Sequence, residues 1–176
     1  MYPFLRLGFH MISARFRQPL NLYECHISHH LCWPHDLDLW GELNNGRTLT
    51  LFDLGRVPMG RRMGLRKILL ARGWNITVAG NCTRYRKRIT LFNRLEMRSR
   101  LLGWDDKFLY IDQSLWRAGT CTTQLVVRHA IFDKNGIISP QRLMDAYAGP
   151  QVPPKLPAWV QSWSQAESLR PWPPQD

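Results

Sequence analysis

Between Ile76 and Ile131 the chain reads as four consecutive strands with no helix between them, and this limits the fold more than any other feature. Parallel neighbours need a long crossover, whereas short turns join only antiparallel ones. The segments are 75–84, 88–103, 107–117 and 120–132. Gly103-Trp104-Asp105-Asp106 and Ala118-Gly119 supply turns between them, and Asp133-Lys134-Asn135-Gly136 follows the last. In the second segment Leu95, Met97, Ser99 and Leu101 alternate with Glu96, Arg98 and Arg100, the period of a half-buried strand. The first puts Ile76, Val78 and Cys82 on one face. The third sets Leu109, Ile111 and Leu115 against Phe108, Tyr110 and Trp116. The fourth aligns Leu125, Val127, His129 and Ile131, with His129 read as a satisfied core residue.

Upstream, residues 22–33 contain no Gly or Pro and read as a strand, ended by Pro34 and Asp36. A helix is expected from Asn44, a good N-cap, to about Arg56, with Leu49, Phe52 and Gly55 on one face. Pro58 is expected to interrupt it and to open a second helix that runs to about Arg72 and stops at Gly73. Strand, helical hairpin and four strands give an α+β fold, an antiparallel β-sheet wrapped around a central helix. Open edges of such a sheet invite edge-to-edge dimerisation. The organisation is a basic N-terminal arm or helix over 1–21, a domain over 22–149 and a Pro/Trp-rich tail over 150–176. Short helices are expected at 140–148 and 157–168.

Lys and Arg number 24 against 13 Asp and Glu, a net charge of +11, so the surface favours anionic partners: nucleic acid, anionic lipid or a phosphate-bearing molecule such as coenzyme A. No RNP or helix-turn-helix pattern is present, and no specific nucleic acid is expected. Residues 1–19 place Phe4, Leu7, Met11 and Ile12 at helical spacing among arginines, either a helix docked on the domain or one that contacts a membrane surface. Arg6, His10, Arg15 and Arg17 break up any signal-peptide core, and four scattered cysteines without a C-x-x-C pair suit reduced thiols, so a cytoplasmic location is expected.

Chemistry concentrates in the run from Asp36 to Gly46. Asp36 and Asp38 precede the start of the longest helix, whose first amides are unpaired and carry a partial positive charge. A carboxylate beside such a terminus can attack a carbonyl, or activate water against it, while the carbonyl oxygen rests on the amides. Asn45, Gly46 and Arg47 own those amides, and Gly46 lets an oxygen approach closely. Two residues apart, Asp36 and Asp38 point in opposite directions, one into a pocket and the other into the turn.

The string Asp36-x-Asp38-x-x-Gly41-x-x-Asn44-Asn45, followed by Phe52-Asp53-x-x-Arg56, resembles the signature of hotdog-fold acyl-CoA thioesterases of the 4-hydroxybenzoyl-CoA thioesterase type. Together with Arg100-Leu101-Leu102-Gly103-Trp104-Asp105-Asp106-Lys107, it is more similar still to the thioesterase superfamily member six branch. The resemblance covers roughly residues 22–133. It implies a homodimer paired edge to edge, or a dimer of dimers, with active sites at the interface and no cofactor beyond the coenzyme A of the substrate. It implies Asp38 as nucleophile or general base, and Asn45 and Gly46 as donors to the thioester carbonyl. The family's usual His before the Asn pair is Glu42 here; as a carboxylate beside Asp38 it is a further catalytic candidate that could shuttle protons, and it also motivates an alternative function: a non-catalytic hotdog protein that binds acyl-CoA or lipid.

Arg84-Tyr85-Arg86-Lys87-Arg88 reads either as a solvated turn or as a phosphate clamp. In the resembled family this neighbourhood contacts the nucleotide end of coenzyme A, which implies Arg84, Arg86, Lys87 and Arg88, with Asn44, as substrate-binding residues. The cluster Cys25-His26-x-x-His29-His30-x-Cys32-x-x-His35 invites a metal reading. Strand alternation divides its donors between two faces, and no metal site is expected.

Overall fold

The computed structural model describes residues 2–171 and 173–174. In chain order the elements are α1 (Phe4–Arg15), β1 (His26–Leu31), α2 (Asn45–Arg62), α3 (Leu65–Arg72), β2 (Asn75–Tyr85), β3 (Arg94–Trp104), β4 (Phe108–Arg117), β5 (Thr120–Asp133), β6 (Gly136–Ile138), α4 (Pro140–Ala148) and α5 (Ala158–Ser168). The strands form one antiparallel sheet in the order β1-β3-β4-β5-β2, with β6 added to β5. The sheet curls around α2, the hotdog arrangement that the sequence implied.

The core lies between α2 and the concave face. Leu51, Phe52, Leu54 and Met59 meet Leu95, Met97, Leu101, Leu109, Leu115, Leu125, Val127 and Ile131. Gly55 lets helix and sheet close up, since a Cβ there would collide with Met97 Sδ and Ser99 Oγ. Buried Gln113 ties the two layers together, its Nε2 donating to Phe52 O at 2.9 Å and to Ser99 Oγ at 2.8 Å.

Pro58 does not interrupt the long helix. It lies inside α2, buried beside Leu54, Gly55 and Met59, and tertiary packing offsets the missing N–H. The break comes instead at Gly64, in the left-handed region at φ 74°, where Gly64 N donates to Arg61 O at 3.0 Å. The expected strand over 88–103 starts later, at Arg94, because residues 90–93 fold into a tight turn: Thr90 N donates to Asn93 Oδ1 at 3.0 Å. A bulge at Ala79 breaks the alternation of β2. Val78 pairs with His129 on the inner face, while Cys82 pairs with Val126 on the outer one, so the two do not share a face. His129 is buried but not satisfied: its Nδ1 has no hydrogen-bond partner among the described residues, and burial drives its pKa down to about 3. The Asp133–Gly136 turn closes a further hairpin onto β6.

The two edges of the sheet differ. β1 is flanked by α1, whereas the residues of β2 are all exposed or half-buried. On the outer face α5 packs Val160 against Tyr110 and Val126, with Leu156 beside them. Arg128 stacks between Phe108 and Trp163 and pairs with Glu167 at 3.2 Å. Among the described residues no helix is long and apolar enough to cross a membrane.

Candidate active site

After β1, a single 3-10 turn over Pro34–Asp36 buries the first aspartate completely. Asp36 Oδ2 accepts from Arg6 at 2.7 Å and from Trp33 N at 3.1 Å, and Oδ1 accepts from Arg47 at 2.9 Å. Burial alone would raise the Asp36 carboxyl, but the Trp33 amide and the Arg6 and Arg47 guanidiniums outweigh it and hold the pKa below the ordinary carboxylate value. Its backbone carbonyl also takes the Asn44 amide at 2.9 Å. Asp36 is therefore the brace that fixes loop, α1 and α2 together.

Asp38 turns the other way and lines a recess of about 250 Å³. Its Oδ1 accepts from Trp40 N at 2.9 Å and Glu42 N at 3.2 Å, while Oδ2 has no partner among the described residues. The loop is clamped by Asp38 N to Glu42 O at 2.8 Å and by Leu43 N to Ile89 O at 2.8 Å. One carboxylate oxygen therefore holds the loop in shape and the other remains available.

The amides at the start of α2 are not all free. Asn44 caps the helix, its Oδ1 accepting from Gly46 N at 2.9 Å and Arg47 N at 3.2 Å. This removes Gly46 and Arg47 from the set of unpaired donors. Among the described residues the Asn45 amide has no partner, and Asn45 lines the recess.

Asp38, Glu42, Asn45, Arg86, Lys87 and Arg88 converge on this recess, while Asn44 and Gly46 do not line it. Arg84 is separated from its neighbours. It opposes Gln124 on the outer face of β2, near Cys82 and Trp159, because alternation sends Tyr85 inward and Arg84 outward. Glu42, at the position of the family's usual His, pairs with Arg88 at 2.9 Å. The second block of the resemblance lies elsewhere: Phe52 is core, and Asp53 and Arg56 form an ion pair. Five further residues complete the lining: Leu43, Thr48, Tyr85, Ile89 and Thr123. Thr48 was accessible to sequence reasoning, one helical turn after Asn44. Thr123 was not, since its place depends on the pairing Tyr85↔Thr123 across β2 and β5. Among the described residues no group of His, Cys, Asp or Glu is placed to hold a metal, and the four cysteines are free thiols.

The family model for the thioesterase-like superfamily matches residues 32–164. Protein THEM6 of Xenopus laevis is 36% identical over 112 residues, which cover 62% of this chain and 54% of that protein; the chain spans about half the length of the relatives it matches. Among solved structures, the DHNA-CoA thioesterase of Staphylococcus aureus superposes with a TM-score of 0.59 at 15% identity, covering 82% of this chain and 92% of that one. The hypothetical protein SAV2348 of the same organism, solved in complex with CoA, gives 0.58 at 10% identity, covering 81% and 96%. The curled sheet about α2 and the match over residues 32–164 agree: the chain belongs to the thioesterase-like superfamily.

Proposed function

We propose that the recess hydrolyses acyl-CoA thioesters to a free acid and coenzyme A. The observation that carries this reading is the placement of the unpaired Asp38 oxygen and the unpaired Asn45 amide on one recess. The thioester carbonyl oxygen rests on the Asn45 amide at the positive end of α2, where charge developing on that oxygen is stabilised. Asp38 takes a proton from water as its oxygen adds to the carbonyl carbon. The tetrahedral intermediate then collapses, the C–S bond breaks, and the departing thiolate receives the proton from Asp38. In the nucleophilic variant Asp38 adds to the carbonyl carbon, the C–S bond breaks to expel the coenzyme A thiolate, and water opens the acyl anhydride at the Asp38 carbonyl; ¹⁸O transferred from the Asp38 carboxylate to the product acid identifies that route.

Arg86, Lys87 and Arg88 at the rim supply donors for the phosphates of coenzyme A, and Leu39 and Trp40, exposed beside Asp38, offer an apolar surface to the acyl group. The recess is smaller than an ordinary ligand pocket and lies at the end of the bare strand β2. A second copy paired along β2 would enlarge it, which is the homodimer this reading requires. The expected result is that Asp38→Asn, which keeps the loop-holding oxygen, lowers turnover about 10²–10⁴-fold across a panel of acyl-CoAs. Unchanged turnover removes Asp38 from the mechanism.

One observation favours a second reading, binding without turnover: Glu42 stands in place of the usual His and engages Arg88. Calorimetric binding of acyl-CoA with no release of free thiol from the wild type would establish it.

A further inference from the structure

Helix α1 has two faces. Its inner face is tightly held. Arg6 reaches Asp36 at 2.7 Å and Leu31 O at 3.0 Å, the His10 ring lies 4.4 Å from the His30 ring, and Ala14 is buried. Just beyond the helix, Arg17 donates to Ile27 O at 2.6 Å and Leu20 is buried. The outer face is consequently fixed in solvent. It carries Leu5, Phe9, Ile12 and Phe16, exposed by 93%, 69%, 63% and 82%. Their spacing of four, three and four residues makes one continuous stripe along the helix. Of the apolar set expected on one face, Leu7 and Met11 turn inward, while Phe4 and Ile12 remain outside. Large apolar side chains aligned in solvent mark a contact surface, whereas scattered ones do not.

Charge identifies what meets this stripe. No Asp or Glu occurs from residue 2 to 23. Arg15 and Arg17 are exposed at the C-terminal end and the exposed Arg61 adds positive charge nearby, while Arg62, whose Nε donates to Gln18 O at 3.0 Å, is balanced by Glu24. Two copies stacked in parallel would bring these like charges together, and an antiparallel stack would set each cationic end against the acid-free start of the partner helix. An apolar stripe with a cationic border fits an interfacial helix lying in the headgroup region of an anionic bilayer.

We propose that α1 docks the protein on the surface of an anionic lipid bilayer through Leu5, Phe9, Ile12 and Phe16, with Arg15 and Arg17 at the headgroups. The stripe lies on the β1 side of the sheet, away from β2, so docking is compatible with the proposed dimer and independent of whether the recess is catalytic.

The test is co-sedimentation of the full chain with vesicles of phosphatidylcholine mixed with phosphatidylglycerol, and with vesicles of phosphatidylcholine alone, at low ionic strength. The wild type should sediment with the mixed vesicles and far less with the neutral ones. Leu5→Ser/Phe9→Ser/Phe16→Ser should bind roughly tenfold or more weakly while its helical circular dichroism and unfolding midpoint stay near wild type. Wild type that remains in the supernatant with mixed vesicles overturns the proposal, as does equal binding by wild type and triple variant. Equal binding to both vesicle types overturns the assignment to an anionic surface. Sedimentation equilibrium without lipid covers the remaining occupant: a wild-type oligomer that the triple variant loses would assign the stripe to a second copy and overturn the bilayer.

Discussion

The two halves of the loop between β1 and α2 carry the same acid two residues apart under opposite physical conditions. The first half is closed around Asp36. Asp36 has no exposed surface, and both its oxygens are taken by cations and an amide. Residues 38–42 are open. Asp38 has one oxygen committed to its own loop and one facing the recess. The difference comes from the partners. Arg6 and Arg47 arrive at Asp36 from 30 and 11 residues away, and neither reaches Asp38. A carboxylate becomes structural when distant elements bring it enough charge and donors, and it stays available for chemistry when only its own loop serves it.

The strongest way to break this contrast is Asp36→Ala. It leaves Arg6 and Arg47 facing a site without their anion, and removing one partner of a buried ion pair costs about 3–5 kcal/mol. Urea unfolding should show a loss of that size, and a loss below about 1 kcal/mol would mean that Asp36 is no brace. The pH dependence has a definite sign. Because the folded pKa is depressed, the stabilisation is complete above the unfolded value of about 3.9 and is lost as pH falls through the lower folded one. The unfolding free energies of variant and wild type should therefore converge at the acid end.

Next in size is Asn45→Pro, which tests the open half. Proline is favoured at the first helical position, and Asn44 already has the extended backbone, φ −60° and ψ 142°, that a residue before proline prefers. The substitution thus removes one amide hydrogen with little effect on the helix. Stability should hold, and hydrolysis should fall about 10²–10³-fold, the effect of losing one oxyanion donor. Asn45→Ala, which keeps the amide, should turn over near the wild-type rate. Equal rates for the two variants would show that the Asn45 amide does not bind the carbonyl.

Much of this was legible in the sequence, because short-range periodicity governs it. The alternation from Leu95 to Leu101 and the cap at Asn44 are local facts, and the structure agrees with both. Asp36 and Asp38 were separable by alternation, although which faced inward depended on Arg6 and Arg47. What local reading missed depends on distant pairing. Pro58 stays helical because the sheet packs against its turn. Cys82 changes face because of a bulge at Ala79, and Arg84 leaves its basic neighbours because β2 pairs with β5 in one register. Gly46 was expected as a free donor, and the side chain of the correctly identified cap accepts that amide first.

Asn44→Ala is the smallest of these perturbations and the one that acts where the two halves join. The Asn44 backbone would keep its bonds: its amide to Asp36 O at 2.9 Å and its carbonyl to Thr48 N at 2.8 Å. Only the Oδ1 cap on Gly46 and Arg47 is lost, which costs about 1 kcal/mol, within the 0.5–2 kcal/mol typical of such caps. The unfolding midpoint should drop accordingly. Turnover and KM should remain close to wild type, because the Asn45 amide and Asp38 are untouched and Gly46 does not line the recess. A large rise in KM with stability unchanged would reverse the assignment, making the Asn44 side chain a substrate contact and leaving the cap to the backbone alone.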